Sequence, residues 1–244
     1  MSHSFSTKEV LHTGWRAFCA HPWRLIWYTA FVLGLCAFFN QVQLIAAHKF
    51  SLPLQLVVVV LSFFAQLVLG MGLTHVAVRA ARGRNYGIND LFRPGEAFVS
   101  FIVASLFFAV VLLAGSWLAA FVVSYGNWPD PMWQTVIVLF FSIVWYFIFG
   151  LRYIFYSYAI VDKHLGARAG LRQSARITKG QRGALMRLML VIVLLNMLGA
   201  FFFFFGLLIT IPVTFLALAT AYLRLLERRQ SAEILAKIDP APQA

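Results

Sequence analysis

The sequence predicts an all-α protein: a polytopic integral membrane bundle of six transmembrane helices with short interfacial amphipathic helices. Three observations lead there. Hydrophobic residues make up 61% of the 244 and charged ones only 11%, at a mean hydropathy of +0.82, whereas a soluble domain carries about a quarter charged residues. So much apolar surface needs lipid as its solvent. The apolar residues also gather into runs close to or longer than the ~20 residues that cross a bilayer. Finally, the charge is one-sided. Of 20 Lys and Arg against 8 Asp and Glu, only Lys49 falls in the three loops on one side. The positive-inside rule then places both termini in the cytoplasm. It accounts for the net +12 better than nucleic-acid binding does.

Three segments follow: an N-terminal interfacial helix within 1–24, a membrane domain over 25–226 and a cytoplasmic tail over 227–244. From Phe5 to Ala20 the chain reads as an amphipathic helix lying on the membrane. Ser6 and Glu9 form a capping box, with Phe5 and Val10 as a hydrophobic staple. Val10, Leu11, Gly14, Trp15 and Phe18 share the face that enters the acyl chains, while Lys8, His12 and Arg16 stay at the headgroups. Pro22 ends this helix. Cys19 lies before the first span and Cys36 within it, so they read as small fillers rather than a disulfide.

The spans are about 25–46, 54–78, 98–123, 135–161, 185–200 and 207–226. Between the second and third, Arg79, Arg82, Arg84 and Arg93 crowd one loop, in which Ile88, Leu91 and Phe92 suggest a brief surface helix before Pro94. The loop SYGNWPDPMW carries turn formers and no cation. The fourth apolar run is too long to cross straight. It must tilt, break at Gly150, or emerge with Tyr153, Tyr156 and Tyr158 in the headgroup layer, and the last suits the aromatic belt. Ala184 to Leu226 would extend about 65 Å as one helix, roughly twice the hydrocarbon thickness, so it must reverse near Phe201 to Phe205. Pro212 lies inside the last span, and a short charged helix follows Glu227. A basic amphipathic segment precedes each of three span pairs. Such a pattern fits a threefold repeat of surface helix plus hairpin, or the basic linkers that any polytopic protein carries.

Catalytic candidates are nearly absent. No two acids are spaced as a general acid/base pair, and no His or Cys pattern supports a metal. An enzyme is not expected, and no cofactor or metal is implied. The stretch from Gly150 to Arg187 is different. As a helix from Gly166 to Lys179, it places Arg168, Arg172, Arg176 and Lys179 within about 80° of one another at ~100° per residue. Opposite lie Ala167, Gly170, Leu171, Ser174, Ile177 and Thr178, with Gly180 as the C-cap. That face is small, which favours packing against helices over insertion into lipid. Arg152 lies roughly 15 Å deeper than Asp162 on a straight helix. No acid in the spans can pair with it. It must snorkel, or find a carbonyl, a tyrosine or a lipid phosphate.

Arg152, Phe155, Ile160 and Asp162, then G-A-x-A-G-L-x-x-S-x-x-x-T-K-G from Gly166 to Gly180, resemble a broad superfamily of uncharacterised bacterial integral membrane proteins. Ile211 to Thr214, Ala219 to Leu225 and Gly14 to Pro22 add to the resemblance. That superfamily is similar to the membrane domain joined to some glycerophosphodiester phosphodiesterases and to YciC-like inner-membrane proteins. The soluble phosphodiesterase domain is missing from this chain, so its activity is not implied. What the resemblance implies is a helical membrane module with an ordered cytoplasmic helix.

The expected function is non-enzymatic: binding or organising anionic lipid, or a partner, at the cytoplasmic face of a bacterial inner membrane. Arg152, Arg168, Arg172, Arg176 and Lys179 form the candidate lipid or anion site. The alternative is a transporter or channel for a small or lipidic solute, with Gln66, His75, Asn196 and Arg152 lining a cavity.

Overall fold

The computed structural model describes residues 6–92, 95, 97–125, 130–202 and 205–238, and every regular element among them is helical. In chain order these are α1 (Thr7–Ala20), α2 (Pro22–Lys49), α3 (Leu52–Ala81), a 3₁₀ turn (Ile88–Leu91), α4 (Phe98–Ser124), α5 (Pro131–Tyr153), α6 (Tyr156–Lys163), α7 (Ala167–Thr178), α8 (Arg182–Phe201) and α9 (Leu207–Ile238). Among the described residues six helical stretches are long and apolar enough to cross a membrane, with α5 and α6 together making one of them. The protein is a multi-pass membrane protein.

Neighbours in sequence pair as hairpins, α2 with α3, α4 with α5 and α8 with α9, and α9 also packs on α1, α2 and α3. Of the six spanning stretches α9 is the most enclosed. Its Tyr222 is fully buried among Phe155 and Tyr158 of the fourth span, with ring centroids 6.1 Å from each. Elsewhere large side chains such as Trp27, Phe64, Trp117 and Phe140 are exposed, as lipid-facing residues should be. Lipid is as apolar as they are, so contacts between spans are held by close packing and hydrogen bonds rather than by escape from water.

Ser6 caps α1, its Oγ accepting from the Glu9 amide at 3.5 Å, and Pro22 opens α2 at its first turn. Phe5, the other half of the expected staple, lies outside the described residues. The α1 face differs from expectation. Val10, Gly14 and Phe18 are buried and pack with α9 residues such as Ala217, Val213 and Leu216. Trp15 is 48% exposed and Leu11 half-buried, so these two keep an outward-facing edge. Arg224 of α9 fastens the contact, donating to Glu9 Oε2 and to Thr13 Oγ1, both at 3.0 Å.

Three further expectations are corrected. The segment at 88–92 is a short 3₁₀ helix with Ile88 and Phe92 exposed, but not all of it lies on the surface: Asp90 and Leu91 are buried. Leu91 is 1% exposed and its backbone rests where a Cβ on Gly72 would stand. Arg93 and Pro94 lie outside the described residues. The charged stretch after Glu227 is not a separate helix, because α9 runs unbroken to Ile238 with Pro212 inside it. Nothing between Leu226 and Ile238 breaks a helix, and Glu, Arg, Gln, Ala and Leu all favour one. Finally, Tyr158 is 3% exposed and donates to the Phe215 carbonyl at 3.3 Å, so it sits in the core and not among headgroups. The reversal between α8 and α9 falls where the length argument requires, although Phe203 and Phe204 at its centre lie outside the described residues. So do 126–129 in the loop before α5, whose Asp130 caps that helix through the Met132 amide at 2.9 Å, and so does the tail beyond Ile238.

The 3₁₀ turn is anchored by Asp90, which accepts from Arg79 and from the Gly87 amide. Burial pushes this carboxyl up, but the Gly87 amide and Arg79 more than offset it, and its pKa lies below the ordinary value. A depressed pKa means that the ionised form supports the fold above the ordinary carboxylate range and that this support is lost as pH falls through the folded pKa. Asp90→Asn should therefore lower the melting temperature in detergent by a few degrees near neutral pH. The gap to wild type should close under acid, which melting curves across pH will check.

Candidate functional site

The site is built on the break in the fourth span. A helix in an apolar medium cannot leave backbone groups unpaired, so an interruption at Ile154 and Phe155 needs outside partners. They come from α7. The Phe155 amide donates to Ser174 Oγ at 3.2 Å, and Ser174 Oγ donates to the Arg152 carbonyl at 3.1 Å. Thr178 Oγ1 lies 3.3 Å from the same carbonyl and 3.0 Å from the Ser174 carbonyl; its single proton serves one at a time. Both hydroxyl residues are essentially inaccessible, at 0% and 1% exposure. Of the outcomes open to this long run, the chain breaks, but four residues beyond Gly150.

The small face of α7 allows this docking. Gly170, Ser174, Ile177 and Thr178 are its buried residues. A Cβ on Gly170 would strike the Ile160 side chain of α6, so only glycine lets the two helices come this close. Ala167 and Leu171 pack with Met71, Phe101 and Ile160. Lys179 caps the helix, and Gly180 follows in the left-handed region with φ +85°, the residue type such a terminus favours.

On the other side of α7 the cations divide. Arg168 and Arg172 line a groove with Arg152, Tyr153, Ala167, Leu171 and Ala175, and Val103 and Phe107 of α4 close it, for a volume of about 610 Å³. The Arg152 guanidinium sits over the Tyr153 ring, 5.6 Å from its centroid. The groove thus has three guanidiniums, an apolar floor and no carboxylate among its described lining residues. Arg176 and Lys179 are exposed and stand outside it, and the Lys179 carbonyl accepts from Arg229 at 2.9 Å.

The cavity residues expected of a transporter do not come together. His75 lines a separate polar pocket of about 360 Å³ with Arg79, Arg82, Arg84, Asp90, Asp162 and His164. There Arg82 Nη2 holds Asp162 at 2.8 Å, and the Tyr222 hydroxyl donates to the same carboxylate at 3.2 Å. Asn196 Nδ2 donates at 2.9 Å to the Ile192 carbonyl and to Thr214 Oγ1, joining α8 to α9. Gln66 is half-buried in α3 and lines neither the groove nor the polar pocket. Among the described residues no group of His, Cys, Asp and Glu is placed to hold a metal ion.

Sequence reasoning missed two parts of the site. Val103 and Phe107 gave no signal, because nothing along α4 marks one lipid-facing residue from another. The hydroxyls of Ser174 and Thr178 were placed on the packing face, but their hold on the span's backbone depends on contacts far away in sequence. Compared with known proteins, the chain matches no family model, no curated protein and no solved structure.

Removing a partner from a buried backbone group costs about 1–3 kcal/mol. Ser174→Ala strips a partner from both Arg152 and Phe155 and should lower stability by that order. Thr178→Val should cost less, since Ser174 still serves Arg152. The double variant should show coupling between the two when their melting free energies are compared in a mutant cycle.

Proposed function

We propose that the protein is a non-enzymatic integral membrane protein of the bacterial cytoplasmic (inner) membrane, with both termini inside, that binds or organises anionic phospholipid at the cytoplasmic face. The groove carries the proposal. Arg152, Arg168 and Arg172 converge on one apolar cleft without a carboxylate to balance them. Three like charges gathered beside lipid repel one another unless an anion lies between, and a phosphate headgroup meets guanidiniums through charge-assisted hydrogen bonds. The acyl chains would lie along Val103, Phe107 and Leu171. The one-sided distribution of Lys and Arg supports the orientation.

A transporter or channel is the alternative. It needs a polar cavity, and the residues expected to line one, Gln66, His75, Asn196 and Arg152, are distributed among separate places in the bundle. The lipid function needs only the groove.

The proposed architecture is a threefold repeat of surface element plus hairpin. Its support is the packing. Each surface element rests on the hairpin before it: the 3₁₀ turn on α3, α7 on α4 and α5, and α1, closing the circle, on α8 and α9.

Near an anionic surface each cation is worth about 1 kcal/mol, so three lost together amount to roughly 150-fold in affinity. Protein carrying Arg152→Ala, Arg168→Ala and Arg172→Ala should lose a phosphatidylglycerol molecule that wild type retains in native mass spectrometry. Arg176→Ala, outside the groove, should change little. Undiminished phosphatidylglycerol retention by the triple variant would contradict the proposal.

A further inference from the structure

A second groove repeats the pattern of the first with different residues. It lies between α1 and α8, has a volume of about 670 Å³, and is lined by Lys8 and Leu11 from the surface helix and Arg187, Leu190 and Val191 from the span. In the first groove Arg152 of α5 meets Arg168 and Arg172 of α7. In the second, Arg187 of α8 meets Lys8 of α1. Each therefore joins a cation on a span to cations on a surface helix packed across it.

The charges in the second groove are also unbalanced, since no carboxylate is among its lining residues. Glu9, next to Lys8 in sequence, is committed to Arg224 at 3.0 Å on the α9 side. The fold thus brings two exposed cations from different elements to one cleft without an acid between them. The floor of the cleft faces lipid, as Leu190 is 60% exposed and Val191 38% exposed on a spanning helix. Arg187 stands five residues inside α8, about 7.5 Å along its axis, a depth at which interfacial groups meet headgroups and the first acyl carbons.

We propose that this groove is a second anionic-phospholipid site, in which Lys8 and Arg187 hold the phosphate and Leu11, Leu190 and Val191 support an acyl chain. It shares no residue with the first groove and rests on the proposed function only for the placement of this end of the bundle at the membrane surface. A soluble phosphate would satisfy the cations but leave the apolar floor without a partner, so the occupant is a lipid.

Native mass spectrometry of protein purified with phosphatidylglycerol tests the proposal. Wild type should retain two phosphatidylglycerol molecules, and Lys8→Gln with Arg187→Gln should retain one. The affinity lost at this groove should be about thirtyfold, equivalent to about 1 kcal/mol for each cation near an anionic surface. Arg152→Ala with Arg168→Ala and Arg172→Ala should remove the other lipid and leave this one, so the two sites fail independently. Photoactivatable phosphatidylglycerol on wild-type protein, which requires no variant to fold, should label peptides of α1 or α8. Retention of two lipids by the Lys8 and Arg187 variant would overturn the proposal. So would the absence of label from both helices, or displacement of the lipid by inorganic phosphate.

Discussion

The hydroxyl of Ser174 sits between two backbone groups of another helix, donating to the Arg152 carbonyl and accepting from the Phe155 amide. Much of the basic end of the molecule follows from that bridge. A continuous helix through Phe155 would carry α6 straight on from α5, and the interruption instead lets α6 pack on α3 and α7. It also places Phe155 and Tyr158 against Tyr222 of α9. In an apolar setting an interruption survives only if its freed groups are satisfied, and α7 exists in the form that can satisfy them. Its docking face is glycine, serine, isoleucine and threonine, small enough for backbone to approach backbone.

With one face of α7 docked, the other has to point away, and its Arg168 and Arg172 line one groove with Arg152 at the edge of the same break. The groove is therefore a by-product of how the span is mended. The tie between Arg82, Asp162 and Tyr222 secures the end of α6 to α3 and α9, and the one between Glu9 and Arg224 secures α1 to α9. Asp162 and Glu9 are thus engaged by Arg82 and Arg224, while the cations of the two grooves have no carboxylate among the described lining residues.

Long apolar runs and one-sided charge made the spans legible, because lipid imposes a length and a polarity that composition alone can meet. The small face of α7 was legible too, since residue size at helical spacing is written directly in the sequence. The position of the break was not. Gly150 is the obvious weak point, yet the chain breaks beyond it because its partner hydroxyl lies 19 residues downstream of Phe155. The docking of α1 was hidden for the same reason: Glu9 and Arg224 are 215 residues apart, and an amphipathic helix looks the same whether its apolar face meets acyl chains or another helix. Likewise Leu91 and Asp90 read as surface residues until Gly72 and Arg79 are seen beneath them. The candidate site was legible as a set of cations, but which of them share a groove was decided by the break.

The most direct test of these relations is a cryo-electron microscopy structure of the protein in nanodiscs containing phosphatidylglycerol. The account predicts headgroup density within hydrogen-bond reach of Arg152 together with Arg168 or Arg172, with the Ser174 hydroxyl still bridging the interrupted span. A fourth span that runs through Phe155 as continuous helix, or a groove whose arginines face only solvent and the Tyr153 ring, would contradict it.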